Sequence, residues 1–183
     1  MRKISGLLCL AGLGACTADA PVGTVVDANT ITFNTFEGGG GWSNDAGRND
    51  PTLLDRGRAH SGQYAIKVDQ NHEFSLTFDM ALGLIRRHKF KTVRLDAWAF
   101  MPSAGATGVL GLQVMEPGTN QQTYGEGLKL KDAVHTYREW VPVSKEFALP
   151  DDITLAQHLR LSLWRADATD EVLIDDVKLS IVN

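Results

Sequence analysis

Little in this chain assigns it to a class at a glance. Of its 183 residues only two are cysteine, Cys9 and Cys16. Both lie at the very start, so the rest of the chain has no thiol from which to build a disulfide framework. The apolar stretch at residues 4–13 is too short for a bilayer-spanning helix, which needs about 20 residues. Positive charge is not in excess, since the formal net charge is −4, and that argues against nucleic acid as a main partner. The five histidines, His60, His72, His88, His135 and His158, never fall two or four apart, the spacings that place two ligands on one metal from a strand or a helix. There is no Gly-x-Ser-x-Gly elbow, and the glycine run at 38–41 leads into Trp42 and a polar loop, not into a helix that could cradle phosphate. Motif-borne hydrolase and nucleotide chemistry are therefore excluded.

What is present starts at the N-terminus. Arg2 and Lys3 precede the apolar stretch, which closes in Leu13-Gly14-Ala15-Cys16, the order of an export signal. The segment resembles a bacterial lipobox. That resemblance implies cleavage before Cys16, a diacylglyceryl thioether on its sulfur and an acylated amine, the two or more chains that stable anchoring requires. The expected organisation is a lipoprotein signal peptide at 1–15, a lipidated N-terminus and tether at 16–30, and one domain at 31–183. Without Arg2 and Lys3 the formal charge becomes −6, which also disfavours anionic lipid as the main partner of the domain.

From Ile31 onward apolar residues recur with period two in separate runs, punctuated by turn residues. Strands are predicted at 31–36, 64–68, 74–80, 93–100, 110–115, 122–130, 137–147, 159–164 and 172–181, with turns at 102–108, 117–120, 150–152 and 166–170. Short helices are expected at 81–88 and 152–157. Many short strands without long helices between them predict an all-β fold, a two-sheet antiparallel β-sandwich or a barrel.

The order of Phe36-Glu37-Gly38 and Trp42, His60-Ser61-Gly62-Gln63-Tyr64, residues 93–100, Trp140 with Phe147-Ala148-Leu149-Pro150, and Leu173-Ile174-Asp175-Asp176-Val177 resembles the galactose-binding-like jelly-roll carbohydrate-binding modules of bacterial surface lipoproteins. The resemblance implies two antiparallel sheets in a jelly roll, a glycan bound on a sheet face or edge loops, and a structural calcium. The calcium ligands it implies are Glu37, Ser61, Asp175 and Asp176; the alternative is that Glu37 caps a turn and the aspartate pair marks a bulge.

A glycan face needs aromatic rings beside hydrogen-bonding side chains. Arg94, Asp96 and Trp98 share one strand face, and Arg160, Ser162 and Trp164 share another. With Gln113 and Tyr124 they form the expected cleft, provided both strands lie in one sheet. Trp42 and Trp140 rank lower, the first as a loop pin and the second as the start of a core-directed strand. The expected function is a non-catalytic glycan-binding module held by Cys16 at the outer membrane or cell surface, with other surface proteins as further partners. The alternative is a structural or protein-interaction lipoprotein without a sugar site. Enzyme readings rank below both: a glycosidase pairing Asp96 with Glu126 or Glu116 across about 5–9.5 Å, or a polysaccharide lyase using Arg94, His135 and Tyr124.

Overall fold

The computed structural model describes residues 27–38 and 40–182; the expected signal peptide and Cys16 lie outside them. Eleven strands follow in chain order: β1 Thr30–Asn34, β2 Trp42–Ser43, β3 Leu54–Arg56, β4 Tyr64–Val68, β5 Phe74–Ala81, β6 Thr92–Phe100, β7 Val109–Met115, β8 Gln122–Lys129, β9 Trp140–Ala148, β10 His158–Trp164 and β11 Val172–Val182. Single helical turns α1, Leu82–Ile85, and α2, Leu130–Ala133, follow β5 and β8.

All strand pairs are antiparallel, and they sort into two sheets. One runs β3-β4-β11-β6-β9, with β1 also on β11; the other runs β2-β5-β10-β7-β8. The long β11 accommodates two partners on one edge, β4 beside Val172–Ile174 and β1 beside Val177–Ser180. Between these stretches Asp176 adopts a positive φ of 48° and the register with β6 shifts, a bulge of the kind expected where two ladders meet.

Alternation of side chains closes the sandwich. Val93, Leu95, Ala97 and Ala99 of β6 and Leu159, Leu161 and Leu163 of β10 are all buried and face each other's sheets. Each fully buried leucine contributes about 1.5–3 kcal/mol, so the apolar rows fix which face of every strand turns inward. This is the predicted two-sheet antiparallel sandwich.

Local expectations fail where tertiary contacts override propensity. The stretch 152–157 forms turns, because Gln157 Oε1 accepts the Thr154 N–H and the Gln157 N–H bonds Thr154 O, folding the chain back before a helical turn can propagate. The helix at 81–88 contracts to the single turn α1. Trp140 turns to the outer face of its sheet instead of the core, because its Cα partner is outward-facing Phe100. Strands β2 and β3 are too short for a period to be visible.

Candidate functional site

The five-stranded sheet presents its outward residues in register, and that register builds a trough across it. Ser43 pairs with Thr77, Thr77 with Ser162, Ser162 with Gly111, and Gly111 with Gly127. This row crosses all five strands and contains only small residues, so it forms a floor. At about 4.8 Å between strands it is about 19 Å long.

The rows on either side are larger. On one side Asp79, Arg160 and Gln113 are successive Cα partners. Arg160 Nε donates to Asp79 Oδ2 at 2.9 Å, His158 Nδ1 meets the other carboxylate oxygen, and Gln113 Nε2 donates to Gln122 Oε1. Burial pushes the Asp79 carboxyl upward, but the hydrogen bonds from His158 and Arg160 outweigh it and hold it below the usual range. On the other side Phe74 and Trp164 are partners, with rings stacked 6.5 Å apart at 16°. They are 49% and 41% exposed, and Trp164 Nε1 donates to Glu73 Oε1 at 3.2 Å, fixing the indole. A cavity of about 570 Å³ occupies the polar side of this trough. The arrangement offers a flat apolar ring on one wall and fixed donors and acceptors on the other.

Of the residues expected in a glycan face, Arg160, Trp164 and Gln113 come together here. Phe74, Thr77 and Asp79 were missed, although alternation within 74–80 places Thr77 and Asp79 outward. Ser43 and Gly111 carried no comparable signal, since a serine and a glycine become a floor only through their cross-strand partners.

Arg94, Asp96 and Trp98 do share a face, but of the other sheet, so the single expected cleft is divided between opposite sides of the sandwich. There Arg94 Nε donates to Asp96 Oδ1 at 3.0 Å. Trp98 lies under His60, with ring centroids 3.8 Å apart and planes at 12°, and Trp140 meets His60 edge-on at 5.9 Å. His60 thus covers one face of the half-buried Trp98, which with Arg94 and Asp96 also lines a shallow cavity of about 270 Å³. Tyr124 is on the inner side of β8, pairing with buried Val114, at the flank where Lys145 of β9 reaches Glu126 at 2.8 Å. Burial, with a hydrogen bond to Glu126, pushes the Tyr124 hydroxyl up to about 12. Asp96 and Glu126 thus belong to different sheets, as do Arg94 and Tyr124, and Glu116 directly follows β7 of the five-stranded sheet, where its carboxylate accepts from Gln157, so neither enzyme constellation assembles on one face.

Glu37, Ser61, Asp175 and Asp176 surround one loop. Glu37 Oε1 accepts the N–H groups of Gln63 at 2.7 Å and Tyr64 at 2.8 Å. Asp175 Oδ2 accepts those of His60 at 2.8 Å and Ser61 at 3.0 Å, while Asp176 bonds the Ser61 hydroxyl and the His60 ring. These carboxylates face N–H and O–H donors, the reverse of the carbonyl-rich shell that calcium needs. Among the described residues no group of three or more acidic, histidine or cysteine side chains converges as a metal site. The set as it stands ties the 60–64 loop to the turn after β1 and to β11, and does not fit the ion. Burial pushes the Asp175 carboxyl up to about 6, against the lowering effect of its amide donors.

No family model and no curated protein matches the sequence. Solved structures do match in fold. The N-terminal CBM22-1–CBM22-2 tandem domain of Paenibacillus barcinonensis Xyn10C superposes with a TM-score of 0.57 at 17% identity over 90% of this chain, which spans 52% of that tandem. The C-terminal family 22 carbohydrate-binding module of Clostridium thermocellum Xyn10B gives a TM-score of 0.53 at 18% identity, covering 84% of this chain and 94% of the module. A xylan-binding domain from the same module family gives 0.53 at 20% identity, covering 85% and 96%. At these identities the likeness establishes the fold, the β-sandwich of carbohydrate-binding modules.

Proposed function

We propose that this protein is a glycan-binding module that holds an extended polysaccharide in the trough of its five-stranded sheet, without catalysis. The observation that carries the reading is the row Ser43, Thr77, Ser162, Gly111 and Gly127 between a stacked Phe74–Trp164 wall and an Asp79–Arg160–Gln113 wall. A floor about 19 Å long suits several consecutive sugar rings of a linear chain. Trp164 takes the C–H face of one ring, and Arg160 and Gln113 donate to hydroxyls. The xylan-binding domain of the same fold makes a xylan-like chain the first ligand to test. We further propose that the lipobox-like segment ending at Cys16 anchors the module at the bacterial outer membrane or cell surface.

Affinity electrophoresis of the full chain through gels containing xylan, other linear polysaccharides or none tests the binding. Retardation by at least one polysaccharide is expected. Losing the Trp164 ring forfeits about 1.5–3 kcal/mol of apolar contact, so Trp164→Ala should weaken retention roughly ten- to hundredfold. Equal mobility in all gels for parent and variant would favour a protein-binding role instead.

A further inference from the structure

The connection between β5 and β6 stands apart from the rest of the surface. Residues 86–91 are Arg86, Arg87, His88, Lys89, Phe90 and Lys91, four permanent cations in a chain of net negative charge. Phe90 is buried at 8% exposure and anchors the segment, while Arg87, His88, Lys89 and Lys91 are exposed. The turn just before it carries Leu84, which is 80% exposed. The Gly83 N–H donates to Leu155 O at 2.8 Å, bringing the 37%-exposed Leu155 to the same corner.

Among the described residues, acidic neighbours pair with only one of these four cations. Asp151 pairs with Lys91 at 2.9 Å, and the Lys89 ammonium donates to the Asp151 carbonyl oxygen at 3.3 Å. Arg86 donates to the Asn29 side-chain oxygen at 3.0 Å. Among the described residues no carboxylate forms an ion pair with Arg86, Arg87 or Lys89.

The contact with Asn29 also fixes where this corner lies: beside the point at which the chain enters β1. Cys16 is eleven residues before Asp27, a contour of at most about 40 Å. A lipid on Cys16 would therefore keep this corner near the bilayer.

We propose that the β5–β6 connection is a membrane-docking surface, its cations Arg86, Arg87, Lys89 and Lys91 meeting the phosphates of anionic phospholipid and Leu84 entering the headgroup boundary. The orientation it gives the module rests on the lipid-anchor reading of Cys16; the affinity for anionic headgroups does not. Interfacial binding of this kind needs an apolar contact together with basic residues. The net charge of the whole chain does not show it, because these four cations fall within six consecutive residues.

The test is co-sedimentation of the full chain with phosphatidylcholine vesicles and with equimolar phosphatidylcholine–phosphatidylglycerol vesicles. The N-terminal segment, with Arg2, Lys3 and the apolar stretch 4–13, is the same in parent and variants, so the difference between them reads the β5–β6 surface. The parent should prefer the anionic vesicles at least about tenfold, at low ionic strength and with inorganic phosphate present as competitor. A fivefold effect per cation predicts that Arg87→Gln with Lys89→Gln lowers that preference roughly 25-fold or to parity, and Leu84→Ser should weaken anionic binding about threefold or more. Equal binding of the parent to both vesicles, or unchanged preference in the double variant with an unaltered melting temperature, would overturn the proposal. Competition by inorganic phosphate would overturn it too, by showing a phosphate site instead of a surface. Labelling with radioactive palmitate in cells, with Cys16→Ser as control, separates the two readings. Anionic preference without label sustains the surface and removes the anchor; label without preference removes the surface.

Discussion

Trp98 and Trp164 illustrate how one residue type takes two roles according to what covers it. Each is the outward member of an alternating strand, but Trp98 is covered by the His60 ring at 3.8 Å whereas Trp164 stacks on exposed Phe74. Trp98→Ala should therefore cost about 2–4 kcal/mol of stability through the cavity under His60 and leave glycan retention intact. Trp164→Ala should show the opposite pattern, and denaturant unfolding beside affinity electrophoresis reads both. Asp175 is a second residue-scale case, with no solvent exposure and its carboxyl pushed up to about 6 by burial. Its folded value lies above its unfolded one, so the native state holds the extra proton. Its contribution to stability is complete below the ordinary aspartate value and is lost as pH rises through about 6. Melting temperatures recorded across that window should fall with rising pH, and Asp175→Asn should flatten the slope.

Among the elements, β7 and β10 decide the trough, because their register sets Ser162 against Gly111 at its centre. A Cβ added at Gly111 would meet only Ser162 O at 3.9 Å, so the site has room for a side chain that points into the trough. Gly111→Leu should abolish retention while shifting the denaturation midpoint little. Measuring both excludes unfolding as the cause. Alternation made the faces of β6 and β10 legible from sequence, and it placed Arg94, Asp96, Trp98, Arg160, Ser162 and Trp164 outward as observed. Sheet membership was not legible, since β10 pairs with β5, some eighty residues earlier in the chain, and with β7, and local periodicity carries no information about such partners. For that reason a single cleft was expected where the fold makes two faces. The carboxylates at 175 and 176 are expected as calcium ligands or as a bulge; the bulge lies inside the sheet on β11, and the partners of Asp175, backbone N–H groups of the 60–61 loop, have no sequence signature.

At the scale of the molecule, the charge is unevenly used: a neutralised Asp79–Arg160 pair lies in the trough and a basic corner lies beside the entry to β1. A metal that stabilised the sandwich would do so by mass action, and the donor-lined carboxylates of Glu37 and Asp175 lead us to expect none. Adding a chelator should leave the melting temperature unchanged, and a fall of several degrees would show that the loop rearranges around an ion. The trough itself is tested most directly by amide NMR of the full chain titrated with a soluble linear xylo-oligosaccharide. Perturbations should concentrate on Ser43, Thr77, Gly111, Gly127, Ser162 and the Trp164 indole N–H, and spare Arg94, Asp96 and Trp98. Perturbations confined to that second group would contradict the account.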